Sequence, residues 1–332
     1  MEITYQFVSS LISTFTSFES RLAIVYLLTT VLIVAALWIM RGRPTSFLAF
    51  LLPKDVYLHK SNLVDIKIFL FNALLAASGL FAAVTMTPLM TSMVLTALLE
   101  ATGASTAAPD LTLGKLALAT LIMILTLDFC TYWIHRIHHE ATSLWPFHAV
   151  HHSAEIMTPL TVHRKHPVYM LLGALFRTLV IGSVQALTLF LLMGKIEILT
   201  IGTVNAGYFI FNAFGSNLRH SHVWLSYGPV LEHVFISPAQ HHIHHSIERK
   251  HYNKNYGEVF AIWDLMFGTL YVPRSYEKIT YGLSDESGKR IEQPYPTLRS
   301  ALLHPFADSW RALWKNTSRE RVIDHDSEER SV

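Results

Sequence analysis

Long apolar runs constrain this chain before anything else in it does. "RLAIVYLLTTVLIVAALWIM" (21–40) is about the length that crosses the hydrocarbon core of a bilayer, and Arg41 and Arg43 follow it at once. "IKIFLFNALLAASGLFAAVTMTPLM" (66–90) and "LTLGKLALATLIMILTLDFCTYWI" (111–134) read the same way. "VYMLLGALFRTLVIGSVQALTLFLLM" (168–193) and "IEILTIGTVNAGYFIFNAF" (196–214) read as a hairpin around Gly194 and Lys195. Only 15% of the 332 residues are charged, against roughly 25% for a soluble domain. The reading is therefore an all-α, integral membrane helical bundle of four to five transmembrane helices.

Basic residues orient it. Arg41, Arg43, Lys54, Lys60, Arg136, Arg164, Lys165 and Arg219 fall on one side of these spans, with Lys115 and Lys195 near the other. The multi-pass chain is thus expected to start outside, with a cytoplasmic helical cap from about residue 216. Residues 1–20 read as an interfacial helix, 91–110 as an exterior loop or partial re-entry, and 317–332 as disordered charge. The start "MEITYQFVSSLISTFTSFESR" lacks the basic opening and small-residue cleavage site of a signal peptide, so the first span is expected to be retained. A net charge of +2 gives no basic face for nucleic acid. Cys130 is the only cysteine, which excludes an intramolecular disulfide and a Cys-based metal centre.

Sixteen of the nineteen histidines fall between residues 135 and 251, all on the side read as cytoplasmic. His148, His151 and His152 form H-x2-H-H, and His241, His244 and His245 repeat it. On a helix i, i+3 and i+4 share a face, so each triplet is expected to aim three imidazoles at one point. His135 and His139 make an i, i+4 pair where a span emerges, with His138 joining or flanking them. Neutral imidazoles converging on a cation suit zinc, iron, copper or nickel. These eight residues are too many for one ion of roughly four to six ligands and enough for two. The H-E-x-x-H of zinc proteases is absent, and the single E-x-x-H, Glu248 to His251, reads as coincidental.

Four ordered motifs then carry a resemblance. D-x3-Y-W-x-H-R-x2-H (Asp128, Tyr132, Trp133, His135, Arg136, His139), "LWPFHAVHHSAE" (144–155), "SPAQHHIHHS" (237–246) and "NYGEVFAIWDLMFGTLY" (255–271) resemble the fatty acid hydroxylase / sterol desaturase superfamily across roughly residues 120–272. The resemblance implies a membrane-embedded non-haem di-iron oxygenase acting on fatty acyl, sterol or alkyl chains. It implies two iron ions, O2, and electrons from an external donor of cytochrome b5, ferredoxin or reductase type. It implies His135, His139, His148, His151, His152, His241, His244 and His245 as ligands, with His220 as a further one. His166 matches an "HP" found after the second box in many members, and touches metal or its surroundings on that reading. His163, His233 and His242 read as flanking, and the role of His222 stays open.

Asp128 shares the His135 face two turns earlier. It either accepts a ligand histidine's second N–H or makes a packing hydrogen bond. Asp264 is expected to serve the last triplet in the same way. Glu155 lies either beside the ligands or as a helix N-terminal charge. The expected domains are membrane spans over 1–110, a catalytic region over 111–272 and a C-terminal tail over 273–332. Hydroxylation is the expected reaction and desaturation its alternative. A metal transporter or sensor is the reading from another class, disfavoured because transporters place ligands near the membrane midplane.

Overall fold

A computed structural model of the chain describes residues 2–82, 84–104, 112–193, 206–207, 209–285 and 288–328. Among these residues the architecture is helical, with three isolated β-bridges and no strand. The elements are α1 (Glu2–Thr16), α2 (Ile24–Met40), the short α3 (Phe47–Leu51) and α4 (Lys54–Tyr57), α5 (Lys60–Ala77) and α6 (Thr87–Thr102). They continue with α7 (Leu113–Glu140), α8 (Trp145–His152), α9 (Pro167–Thr188), α10 (Pro238–His244), α11 (Ile262–Met266) and α12 (Leu298–Glu328).

Among the described residues two helices are long and apolar enough to cross a membrane: α7, and α9 with its extension to Leu192. Helix α2 is apolar but shorter. The run read as a span over 66–90 is divided. Helix α5 ends at Ala77, Gly79 turns with φ +80°, a conformation that favours glycine, and Pro88 sits in the first turn of α6. Residues 91–102, read as an exterior loop or partial re-entry, are helical, and α6 packs along α9. Gly182 permits that approach: a Cβ there would lie 2.7 Å from Met90 Cβ. Thr91 Oγ1 donates to Gln185 Oε1 across the seam at 3.0 Å. Most of the expected 196–214 span lies outside the described residues.

The C-terminal segment forms α12. Its first turns are held against α8, with Phe306 5.2 Å from Phe147 and Ala301 buried beside Val150.

A buried ion pair ties these helices around the site. Asp65 on α5 meets Arg164 at 2.8 Å, with both side chains fully buried. Thr161 donates to the second Asp65 oxygen at 2.7 Å. Arg164 also donates to the Val150 carbonyl and to Ser153 Oγ, both at 2.8 Å, which anchors the C-terminal end of α8.

Candidate metal centre

The histidines arrive from three helical segments and one turn. Helix α7 carries His135 and His139 in its last two turns. Helix α8 has Pro146 in its first turn, where a missing N–H costs nothing, and its eight residues carry the second box. Helix α10 begins with a capping box: Gln240 N donates to Ser237 Oγ, and Ser237 N donates to Gln240 Oε1. "SPAQ" is thus the start signal that sets the rotation of "HHIHH" about its axis. His220 comes from the turn Ser216–His220, which packs against α10.

These side chains form two buried groups. His135, His139, His148, His152 and His244 make one; His151, His220, His241 and His245 make the other. Within each, donor nitrogens lie within 4.8 Å of one another. Neither triplet converges on a single point. The i, i+4 pairs stay together (His135/His139, His148/His152, His241/His245), while His151 and His244 cross to the opposite group. The reason is geometric: successive residues turn by about 100°, so i+3 and i+4 straddle the line through i on opposite sides. Helices α8 and α10 lie between the two groups and supply both.

The contacts among the rings fit a cation. Nε2 atoms approach at 3.1 Å for His152/His244, His241/His245 and His220/His241, and at 3.3 Å for His151/His220. Two nitrogens each about 2.1 Å from a shared ion, at right angles, stand about 3 Å apart. Both nitrogens of His148 are buried without a partner, as are His139 Nε2, His151 Nδ1 and His241 Nδ1. Buried polar atoms are rarely left so unless an ion or water satisfies them. Burial first, and then neighbouring charged groups, holds His148, His151, His152, His220, His241 and His245 well below the usual imidazole range. Burial takes His244 to about 4. At neutral pH these rings are free bases, the form that binds metal.

Backbone carbonyls orient two of them. His135 Nδ1 donates to Tyr256 O at 2.7 Å and His244 Nδ1 to Lys254 O at 2.9 Å, which leaves each Nε2 facing the group. The "NYG" turn presents these carbonyls. Asn255 holds φ +57° and donates to the Gln240 and Tyr271 carbonyls. Gly257 has no room for a Cβ, which would lie 2.6 Å from Phe260 O and 2.8 Å from Asp264 Oδ2.

Asp264 accepts from Tyr256 N, Gly257 N and Thr269 Oγ1 at 2.6–2.8 Å. It therefore meets His135 through one peptide and not directly. Asp128 touches no histidine. Its oxygens accept from Val259 N, Phe260 N and Trp263 Nε1 at 2.9–3.0 Å, docking the segment around α11 onto α7. Glu155 lies away from both groups, paired with Arg290 at 2.7 Å.

His166 is outside both groups as well. Its Nδ1 caps α9 by accepting from Val168 N, and its Nε2 bonds Leu302 O at 3.1 Å. His242, His222 and His233 bond backbone carbonyls of Leu218, Phe50 and Pro229. His163 packs on Phe69. His138 bonds Ile134 O, one turn back. Glu248 and His251 do meet a third group, Glu277, but Lys250 pairs with both carboxylates and fills the role of cation.

Sequence reading missed Asp65, Arg164's pairing and Glu232. Glu232, fully buried, accepts from Ser237 Oγ and Tyr227 N and so steadies the start of α10. The S-x-x-Q signal at 237–240 was available and points to that helix start.

A fatty acid hydroxylase family model matches residues 120–269, which contain every histidine of both groups. That region is similar to the fatty acid hydroxylase family over just under half of the chain. Among curated members, the ornithine lipid hydroxylase OlsE of Rhizobium tropici is 31% identical over 54% of this chain and 51% of its own. The alkylglycerol monooxygenase of Homo sapiens is 32% identical over 48% and 32%. A Delta(7)-sterol 5(6)-desaturase of Gibberella zeae is 28% identical over 47% and 38%. The chain spans about half or less of the length of these relatives. No solved structure matches it significantly. The region matched by the family model is the one that builds the two histidine groups.

Proposed function

We propose that this chain is a membrane-bound di-iron oxygenase that hydroxylates a C–H bond of a lipid. The observation that carries the reading is the pair of adjacent histidine groups with unpartnered, buried, neutral imidazole nitrogens. The five residues around His139 would hold one iron and the four around His241 the other, with His220 in the second set. The all-nitrogen donor set fits iron, and the family's use of the same boxes supports iron over its competitors. Bound iron would supply the oxidising power that an unactivated C–H bond requires.

The chain's own residues do the rest. The Tyr256 and Lys254 carbonyls fix ring tautomers, Asp264 fixes Tyr256, and Asp128 closes the 259–263 segment over α7. A cleft of about 350 Å3, walled by His139, Trp145, His152, His244 and Tyr252, reaches the first group from outside. It offers a route for O2 and water. Hydroxylation balances as one oxygen atom into the lipid and one into water, with two electrons and two protons from an external donor. The donor class stays as the resemblance implies: cytochrome b5, ferredoxin or reductase.

The remaining spans, a cytoplasmic face for the histidines and a catalytic region over 111–272 complete the reading. The basic residues flanking the apolar runs support it. Desaturation is the second reading, favoured by the sterol desaturase relative. Growth under oxygen-18 gas with lipid mass spectrometry tests the choice. A hydroxylase places heavy oxygen in a lipid product only when the chain is present; a desaturase yields products two hydrogens lighter with no label.

A further inference from the structure

Beside the histidine groups the bundle holds cations that its own carboxylates do not neutralise. Arg177 stands in α9 with its guanidinium folded back along the helix. A Cβ on Gly173 would lie 3.3 Å from Arg177 Nη1 and 3.5 Å from Ile134 Cγ2. The guanidinium therefore sits in the seam between α9 and α7, beside the residue that precedes His135, and Gly173 makes room for it. Lys165, two residues before α9, places its ammonium 5.9 Å from the Tyr169 ring centre. Tyr169 in turn stacks on His148 at 4.8 Å, so Lys165 is one aromatic ring from the first histidine group. Among the described residues neither side chain has an ion pair or a hydrogen bond.

The carboxylates nearby are engaged elsewhere. Asp65 takes Arg164, Glu258 takes Arg21, and Asp128 takes two amides and an indole. Arg219 is a separate case: its guanidinium lies over the Phe211 ring at 4.9 Å, donates to the Glu258 carbonyl and has the Asp128 charge nearby. Lys165 feels the charges of both Arg21 and Arg177. Arg177 and Lys165 are half-buried, and like charges gathered in an apolar bundle are costly unless a counter-charge is bound. Cations at helix ends often reach outward to headgroups, but Arg177 points into the helix seam. A neutral apolar chain makes no use of such a group.

We propose that the lipid acted on carries an anionic group, a phosphate or a carboxylate, seated between Arg177 and Lys165. Arginine offers a planar fork to such oxyanions and lysine a point charge. This rests on the oxygenase reading and narrows its substrate class to anionic lipids.

The test uses the full iron-loaded chain in uncharged detergent. Saturation of the thermal-unfolding shift gives affinities for a lysophosphatidic acid, for a monoacylglycerol of the same chain, and for inorganic phosphate. The expected result is that the anionic lipid binds about tenfold or more tightly than the neutral one. Arg177→Gln and Lys165→Gln should each shrink that preference, and Arg177→Lys should keep part of it, all with iron content unchanged. If Arg177→Gln does not fold, Lys165→Gln outside the helix carries the comparison alone. Equal binding of the two lipids by the parent overturns the proposal, as does a preference that survives the double variant. Inorganic phosphate stabilising as strongly as the anionic lipid overturns the lipid assignment in favour of a small-anion site. Two irons with no anion preference sink only this inference, whereas a parent without iron sinks the oxygenase reading itself.

Discussion

Asp264→Asn tests how the cap holds a metal ligand. The native carboxylate is fully buried and accepts three hydrogen bonds: Tyr256 N and Thr269 on one oxygen, Gly257 N on the other. The amide keeps one oxygen and presents an NH2 in place of the other. With the oxygen toward Tyr256 and Thr269, Gly257 N faces a donor and loses its acceptor. One buried N–H left unmade costs about 1–3 kcal/mol, and the donor–donor approach adds to it. Gly257 sits in a tight space, since even a Cβ there would lie 2.6 Å from Phe260 O and 2.9 Å from Ile236 Cγ1. The strain must pass into the Tyr256 peptide, whose carbonyl holds His135 Nδ1 at 2.7 Å. Losing such support typically weakens metal binding about 10- to 100-fold. The assay is iron retained against a graded chelator, beside thermal unfolding of the same preparations. The variant should release iron at a chelator concentration at least about tenfold lower than the parent. An unchanged release curve in a variant that unfolds earlier would refute the chain from Asp264 to His135, leaving Asp264 a fold residue only.

Other predictions follow from the same contacts. Arg164→Met leaves Asp65 charged and buried, so it should destabilise the chain by about 3–5 kcal/mol in chemical unfolding, and Asp65→Leu added to it should recover part of that loss. His220→Ala should lower iron content, whereas His166→Ala should leave it intact and cost only about 1 kcal/mol of α9 capping. Acid should release the metal. The rings outside α7 have folded values below the unfolded one of about 6.5. Protonation thus favours the unfolded, metal-free chain. Their contribution is complete above about pH 6.5 and is lost as the pH falls toward 4, which a pH series of iron content checks.

The ligand residues were legible because metal chemistry needs many imidazoles and helices place them by spacing. How they divide was not. Spacing alone sends 148, 151 and 152 to one point, and only the position of α8 between two groups sends His151 the other way. Asp128 and Asp264 were noticed as ionisable groups in apolar surroundings, but their partners are backbone amides more than a hundred and about eight residues away, which no pattern encodes. His166 followed a motif that serves as a helix cap here. Apolar length marked α7 and α9 well. It misjudged 66–102, where Gly79 and Pro88 break one greasy run into two helices, and where Gly182 lets the second lie against α9.

The central claim is two metal ions held by two histidine groups, and metal stoichiometry tests it most directly. Mass spectrometry of detergent-purified chain is compared with a His151→Ala, His244→Ala double variant, which removes one member from each group. The account predicts about two irons per chain in the parent and a large loss in the variant. One zinc or no metal, unchanged by the substitutions, would contradict it.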